Sequence, residues 1–239
     1  MGMELLNRYI KESNNLVCLL GREVAAASGC NMYRDEFLYD VEQKYGHSLE
    51  EIFSLRFYNN RPKEFFEFYR NEILLKRGAP NEVHDVLRRL EENGKLKSVI
   101  TRGIFGLTKV AGIKHVIQVH GSIYDNHCPK CRKNFPLSYM LQEPVPYCDV
   151  CGAVVEPSAV FQGDLVDNMK ITAAAQYVGQ ADTIIIIGSN MHSSLVKGFL
   201  KYYTGDRVIL MSGKEMYDDT KADCIVHGDL REIAKKICL

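Results

Sequence analysis

The chain has 239 residues, with 30 basic and 30 acidic side chains and an apolar fraction of 46%. That length builds one large domain or one domain with a small insert, and zero net charge argues against nucleic acid or another polyanion as a partner. No apolar run reaches membrane-spanning length, and eight cysteines, four of them in CxxC pairs, point to a reduced, cytoplasmic setting with a metal site rather than a disulfide framework.

The first fifteen residues, MGMELLNRYIKESNN, lack the contiguous apolar run of a signal peptide and have the pattern of an amphipathic helix. Leu16–Leu20 is a continuous apolar run that predicts a buried strand, and Gly21 ends it. A glycine turn between a strand and a helix is the pattern of a phosphate loop. From Phe37 to Lys76 the chain is rich in aromatics at helical spacing, which suits a packed helical segment. Asn81 then caps a predicted helix, EVHDVLRRLEEN, closed by Gly94, and His84 on it is read as structural.

Ser98–Thr101 and His115–Val119 predict two more buried parallel strands. In open α/β sheets ligands bind beyond the carboxyl ends of the strands, so Thr101–Phe105 and His120–Ser122 fall at a ligand crevice. His120 at such a strand end is a candidate general base, or a structural histidine. Cys128 and Cys131 follow, and after sixteen intervening residues come Cys148 and Cys151. Four thiolates at ribbon spacing complete a tetrahedral zinc shell and leave no open position, so the expected zinc is structural. Residues 156–164 predict a strand linking back into the main sheet. A helix over Asp167–Val178 and strands at Thr183–Ile187, Val208–Met211 and around Ile225 complete the alternation, with Gly188, Ser189 and Asn190 at another strand end. His192 is read as a hydrogen-bonded bystander. The fold class expected is α/β, a Rossmann-like doubly wound parallel sheet with a small zinc-ribbon module.

The segment Thr101, Ile104, Gly106, Leu107, Ala111, Gly112, His120, Gly121, Ser122 followed by the cysteine pairs resembles the core of the sirtuins, the NAD-dependent protein deacylases. Gly21, Ser28, Gly29 and Arg34 match the family's cofactor loop, with Tyr33 as an aromatic in place of Phe. Pro157, Val160 and Gly163 match its substrate-pairing stretch. The resemblance implies His120 as the base, and Gly21, Arg22, Tyr33, Arg34, Arg102, Gly103, Gly188, Ser189, Asn190 and Cys224 at the cofactor. It implies Val160, Phe161 and Gly163 at an acylated protein or peptide. It also implies an NAD-binding domain over residues 1–127 and 158–239, with its helical segment at about 36–78, and a zinc-binding module over residues 128–157. The cofactor expected is NAD or ADP-ribose, beside structural zinc.

The chain departs from the family at Arg102, Gly103 and Phe105, where the family has Gln, Asn and Asp, and at Glu23, where it has Gly. Gly103 removes an amide that would hold ribose, and Phe105 places an apolar ring in the carboxamide subsite; Arg102 or Asn126 is the candidate substitute. A carboxylate about 4 Å from a phosphate repels it by roughly 4 kcal/mol at an effective dielectric of ~20. Arg22 either turns its guanidinium onto the phosphates and offsets Glu23, or Arg22 and Glu23 pair elsewhere and the loop no longer binds pyrophosphate. Two functions follow: a weak deacylase or ADP-ribosyltransferase variant, or an inactive module that binds ADP-ribose, another nucleotide or a peptide.

Overall fold

The computed structural model describes residues 2–159, 161 and 166–238. In chain order, α1 (Gly2–Glu12) leads into β1 (Leu16–Leu20) and α2 (Arg22–Ala27). Next come α3 (Phe37–Tyr45), α4 (Leu49–Ile52), α5 (Leu55–Asn60) and α6 (Pro62–Phe68), and then a π-helical stretch, Tyr69–Leu74. After α7 (Glu82–Glu92) come β2 (Leu96–Thr101), α8 (Leu107–Val110) and β3 (Val116–Gln118). The cysteine region contributes β4 (Asn126–His127), β5 (Asn134–Phe135), α9 (Leu137–Gln142) and β6 (Glu156–Pro157). The chain closes with α10 (Asn168–Gln180), β7 (Thr183–Ile187), α11 (Ser194–Leu200), β8 (Arg207–Ser212), β9 (Cys224–His227) and α12 (Leu230–Lys235).

Six strands form one parallel sheet in the order β3-β2-β1-β7-β8-β9. The order reverses between β1 and β7, which is the switch point of a doubly wound fold. Strand burial explains the unbroken apolar runs: every residue of β1 and β7 is buried. Alternate residues serve opposite faces. Leu16, Cys18, Leu20, Ile185, Ile187, Ile209 and Met211 pack with side chains of α1, α7 and α12. Val17, Leu19, Ile100, Ile184, Ile186 and Leu210 pack with those of α10 and α11. Both faces are covered, as an all-parallel sheet requires.

The helical segment breaks where its caps say it should. Ser48 and Ser54 accept from Glu51 N–H and Phe57 N–H at the starts of α4 and α5, and Pro62 opens α6. Its aromatics fill a third core together with Phe105, Phe135, Met140, Cys128 and Cys148. The small antiparallel sheet β5-β4-β6 therefore shares its core with α3–α6. Within this segment Glu72 is a buried hub that accepts from Lys44, Lys76, Tyr45 and Asn31 at 2.7–3.1 Å. Burial alone would raise its pKa, but these donors outweigh it and hold the carboxyl at about 2.

Candidate active site and metal centre

At the carboxyl ends of the central strands lies a cavity of about 680 Å³, within the size range of small-molecule sites. Its floor is made by two turns that interlock without side chains. Gly21 N–H donates to Ile187 O at 2.8 Å, and Glu23 N–H to Gly188 O at 3.1 Å. A Cβ on Gly21 would stand 2.1 Å from Gly188 O, and Gly188 itself has φ +67° beneath Val24 and Glu23. Larger residues at either position would force the ends of β1 and β7 apart.

The cavity brings together Gly21, Arg22, Tyr33, Arg102, Gly103, His120, Gly188, Ser189 and Asn190. His120 is half-buried in the wall. Burial, and then the neighbouring Arg102 guanidinium, lower its pKa, so the imidazole is neutral and able to accept a proton. The turn after His120 is fixed by Gly121, whose φ is +77° and whose Cβ would fall 1.6 Å from Ser158 O. That close approach carries the chain after β6 past His120 and places Ala159 in the cavity wall.

The departures have distinct fates. Arg102 donates to the Ser194 hydroxyl and, at 3.4 Å, to Ser194 O, while its buried Nε has no partner among the described residues. Gly103 leaves space, since a Cβ there would meet Thr101 Oγ1 alone, at 3.3 Å. Phe105 is buried in the wall, and Asn126 turns away to donate to Ile123 O and Phe135 O, so it does not replace the missing polar group. Glu23 turns toward the end of β8 and keeps its carboxylate in the cavity lining. Its Oε2 accepts from Gly213 N–H at 2.8 Å, beyond the end of β8, and no pair with Arg22 is found among the described residues.

Other expected contacts fall elsewhere. Arg34 pairs with Asp40 at 2.6 Å and lines a separate recess beside Cys30 and Lys76. Cys224 is buried in β9 with its thiol on Gly2 O. Neither lines the cavity. Phe161 points its ring into the aromatic core, 5.3 Å from Tyr58 and 5.6 Å from Phe65, not into a groove. Val160 and Gly163 lie outside the described residues. His192 pairs with Asp218 at 2.6 Å. His84 touches the cavity, yet its Nδ1 accepts from Asn81 N–H, and burial lowers its pKa to about 4. Sequence reasoning missed the Ser193–Leu195 wall, where Ser189 Oγ meets Ser193 Oγ at 2.8 Å. A serine cap at the start of α11 was the available signal.

The four motif cysteines form one cluster away from the cavity, with all Sγ atoms within 4.8 Å of one another. Cys128 Sγ lies 3.4 Å from Cys151 Sγ, and Cys131 Sγ 3.5 Å from Cys148 Sγ. A tetrahedral zinc with bonds of about 2.3 Å needs sulfurs roughly 3.8 Å apart, so the donor set fits zinc and is too open for disulfides. The two loops are built alike. Cys128 N–H donates to Lys133 O and Cys148 N–H to Ala153 O, and the residue after each second cysteine, Arg132 or Gly152, has positive φ. Lys133 bridges the loops to Asp149 at 2.6 Å. A closed four-thiolate set suits a structural ion.

The sequence model of the Sir2 family matches residues 21–194. The NAD-dependent protein deacetylase of Clostridium tetani (strain Massachusetts / E88) is 34% identical over 231 residues, covering 95% of this chain and 94% of that protein. The NAD-dependent protein deacetylase of Clostridium acetobutylicum is 32% identical over 235 residues, covering 97% and 96%. A solved Sir2 complex with p53 peptide and NAD+ superposes with a TM-score of 0.81 at 26% identity, covering 99% of this chain and 97% of that one. A Sir2Tm structure bound to a propionylated peptide gives 0.80 at 26%, with the same coverage. Cavity, cysteine cluster, strand order and these matches agree, and the chain belongs to the Sir2 family, the sirtuins.

Proposed function

We propose that this chain is an NAD-dependent protein lysine deacylase of deacetylase type, with turnover held low by Gly103 and Phe105. The observation that carries the reading is a half-buried His120, its pKa lowered by burial and by Arg102, in the wall of the cavity whose floor is the interlocked Gly21 and Gly188 turns. The relatives' names give NAD and deacetylation, and the neighbours' titles give NAD+ and acylated peptides, as the chemistry to expect.

Within this reading, residues 1–127 and 158–239 hold the cofactor and residues 128–157 form the zinc module. The glycine floor admits a dinucleotide's pyrophosphate close to backbone, and exposed Arg22 supplies a cation there. NAD held there would supply an electrophilic ribose carbon for the acyl oxygen, with nicotinamide as the leaving group. His120 receives a ribose hydroxyl proton at a ring nitrogen, which its depressed pKa allows at neutral pH. Gly103 offers no amide to position the ribose, so the base acts on a loosely held substrate. Losing one such group commonly costs about two decades in rate.

A second reading, a binding module without turnover, is favoured by Phe105, which fills part of the wall with an apolar ring. Acetyl-lysine peptide with NAD, followed by mass spectrometry, separates the two. Deacetylation abolished by His120→Ala supports the enzyme, and NAD binding without peptide-dependent turnover supports the module.

A further inference from the structure

In the doubly wound fold an acidic side chain at a strand end accepts from the ribose hydroxyls of a bound dinucleotide. Here β8 ends at Ser212 and runs on into Gly213-Lys214-Glu215, and Glu215, the nearest carboxylate in sequence, is exposed and does not line the cavity. The structure supplies one from elsewhere. Glu23 crosses from the turn after β1, fixed by its backbone N–H on Gly188 O and by Oε2 on Gly213 N–H at 2.8 Å.

The anchor it reaches is itself stapled. Ser212 Oγ donates to Lys214 O at 3.0 Å and lies 2.9 Å from His227 Nδ1, while His227 Nε2 faces Asp219 at 3.4 Å. Ser212 and Asp219 are buried, so the N–H of Gly213 is held in place for Glu23. One carboxylate oxygen is thus engaged, and Oε1 has no partner among the described residues while the side chain lines the cavity. An acceptor held this way suits a pair of donating hydroxyls, and its charge opposes a phosphate at the same place.

We propose that Glu23 is the carboxylate that grips the ribose hydroxyls of the dinucleotide's adenosine half, and that it selects the unphosphorylated ribose. The proposal rests on the reading of this cavity as an NAD site. It turns the most conspicuous departure in the cofactor loop into the replacement for a contact missing at the end of β8. Lys214 stands next in the chain, so a site governed by that residue would show the opposite preference, for a 2′-phosphate.

The test is calorimetric titration of the full chain with NAD, ADP-ribose and NADP, for wild type, Glu23→Gln and Glu23→Gly. Gln can still accept from Gly213 N–H, so that variant keeps the anchor while losing the charge, and thermal melting checks that it folds. Wild type should prefer NAD over NADP by about a hundredfold, and Glu23→Gln should weaken NAD by roughly tenfold while narrowing the preference. Glu23→Gly should do both more strongly. Equal or tighter NAD binding in both variants, with the preference unchanged, overturns the role of Glu23 and leaves the NAD site standing. A wild-type preference for NADP overturns it too. No binding of NAD or ADP-ribose by wild type overturns the NAD reading and this proposal together.

Discussion

Phe105 meets the ring of Tyr33 edge-on, with centroids 5.8 Å apart and ring planes at 74°. The pair joins the cofactor-loop side of the cavity to the turn after β2 through an apolar contact, where the family has a carboxylate. Because Phe105 is 2% exposed and belongs to the third core, it has a packing role as well as a place in the site. Phe105→Asp should therefore destabilise the chain by about 3–5 kcal/mol, through lost packing and a carboxylate with no partner. A thermal melt should fall by roughly 10 °C or more, whereas Phe105→Leu should fall much less. An unchanged melt for Phe105→Asp would mean the ring is dispensable.

Gly103 behaves differently. With only Thr101 Oγ1 near the position of a Cβ, Gly103→Asn should change stability by less than about 1 kcal/mol. The amide would project toward the ribose, and peptide deacetylation should rise by about tenfold or more. Lower activity in a folded Gly103→Asn protein would show that Arg102 and its neighbours have rebuilt the site around glycine.

Burial and Arg102 both disfavour the His120 imidazolium. The base form should persist to lower pH than for an ordinary histidine, so the acid limb of kcat/KM lies below the usual range near 6.5. Arg102→Gln removes one of the two causes, and the limb should move to higher pH. A limb that stays in place would assign the shift to burial alone.

His84 makes a separate pH prediction, for stability. Its folded pKa of about 4 lies below the ordinary 6.5 because the ring is buried. Between those values the unfolded chain binds the extra proton, so the stabilising contribution is complete above about pH 6.5 and fades as pH falls toward 4. The loss is roughly 3 kcal/mol. Gln at this third helical position can still accept from Asn81 N–H, so His84→Gln should keep the cap and flatten the acid slope of denaturant stability.

Removing zinc should loosen more than its own module. Cys128 and Cys148 lie in the same core as the α3–α6 aromatics, and a structural zinc contributes on the order of 10 kcal/mol. Purified protein should hold about one zinc per chain, and Cys148→Ser should lower the melt by more than about 10 °C. Zinc-free protein with an unaltered melt would contradict the assignment.

The sheet was legible because its strands are buried on both sides. Leu16–Leu20 and Thr183–Ile187 read as unbroken apolar runs, and they are the two strands flanking the switch point. The zinc cluster was legible because four cysteines at that spacing have few other uses. The division of Phe37–Leu74 into short helices was written in Ser48, Ser54 and Pro62, but the aromatic periodicity masks it. Side-chain direction was not legible. Arg34 keeps the family's register yet turns to Asp40, Phe161 turns into the core, and Glu23 reaches a strand end 190 residues away in sequence. Motif register places a Cα, while the neighbours that decide where a long side chain goes come from distant parts of the chain.

The most direct test of the account is release of nicotinamide from NAD by the wild-type chain, measured with and without an acetyl-lysine peptide and repeated with His120→Ala. The account expects slow release that depends on the peptide and disappears in His120→Ala. Peptide-independent release, or no release from a protein that binds NAD and the peptide, would contradict it.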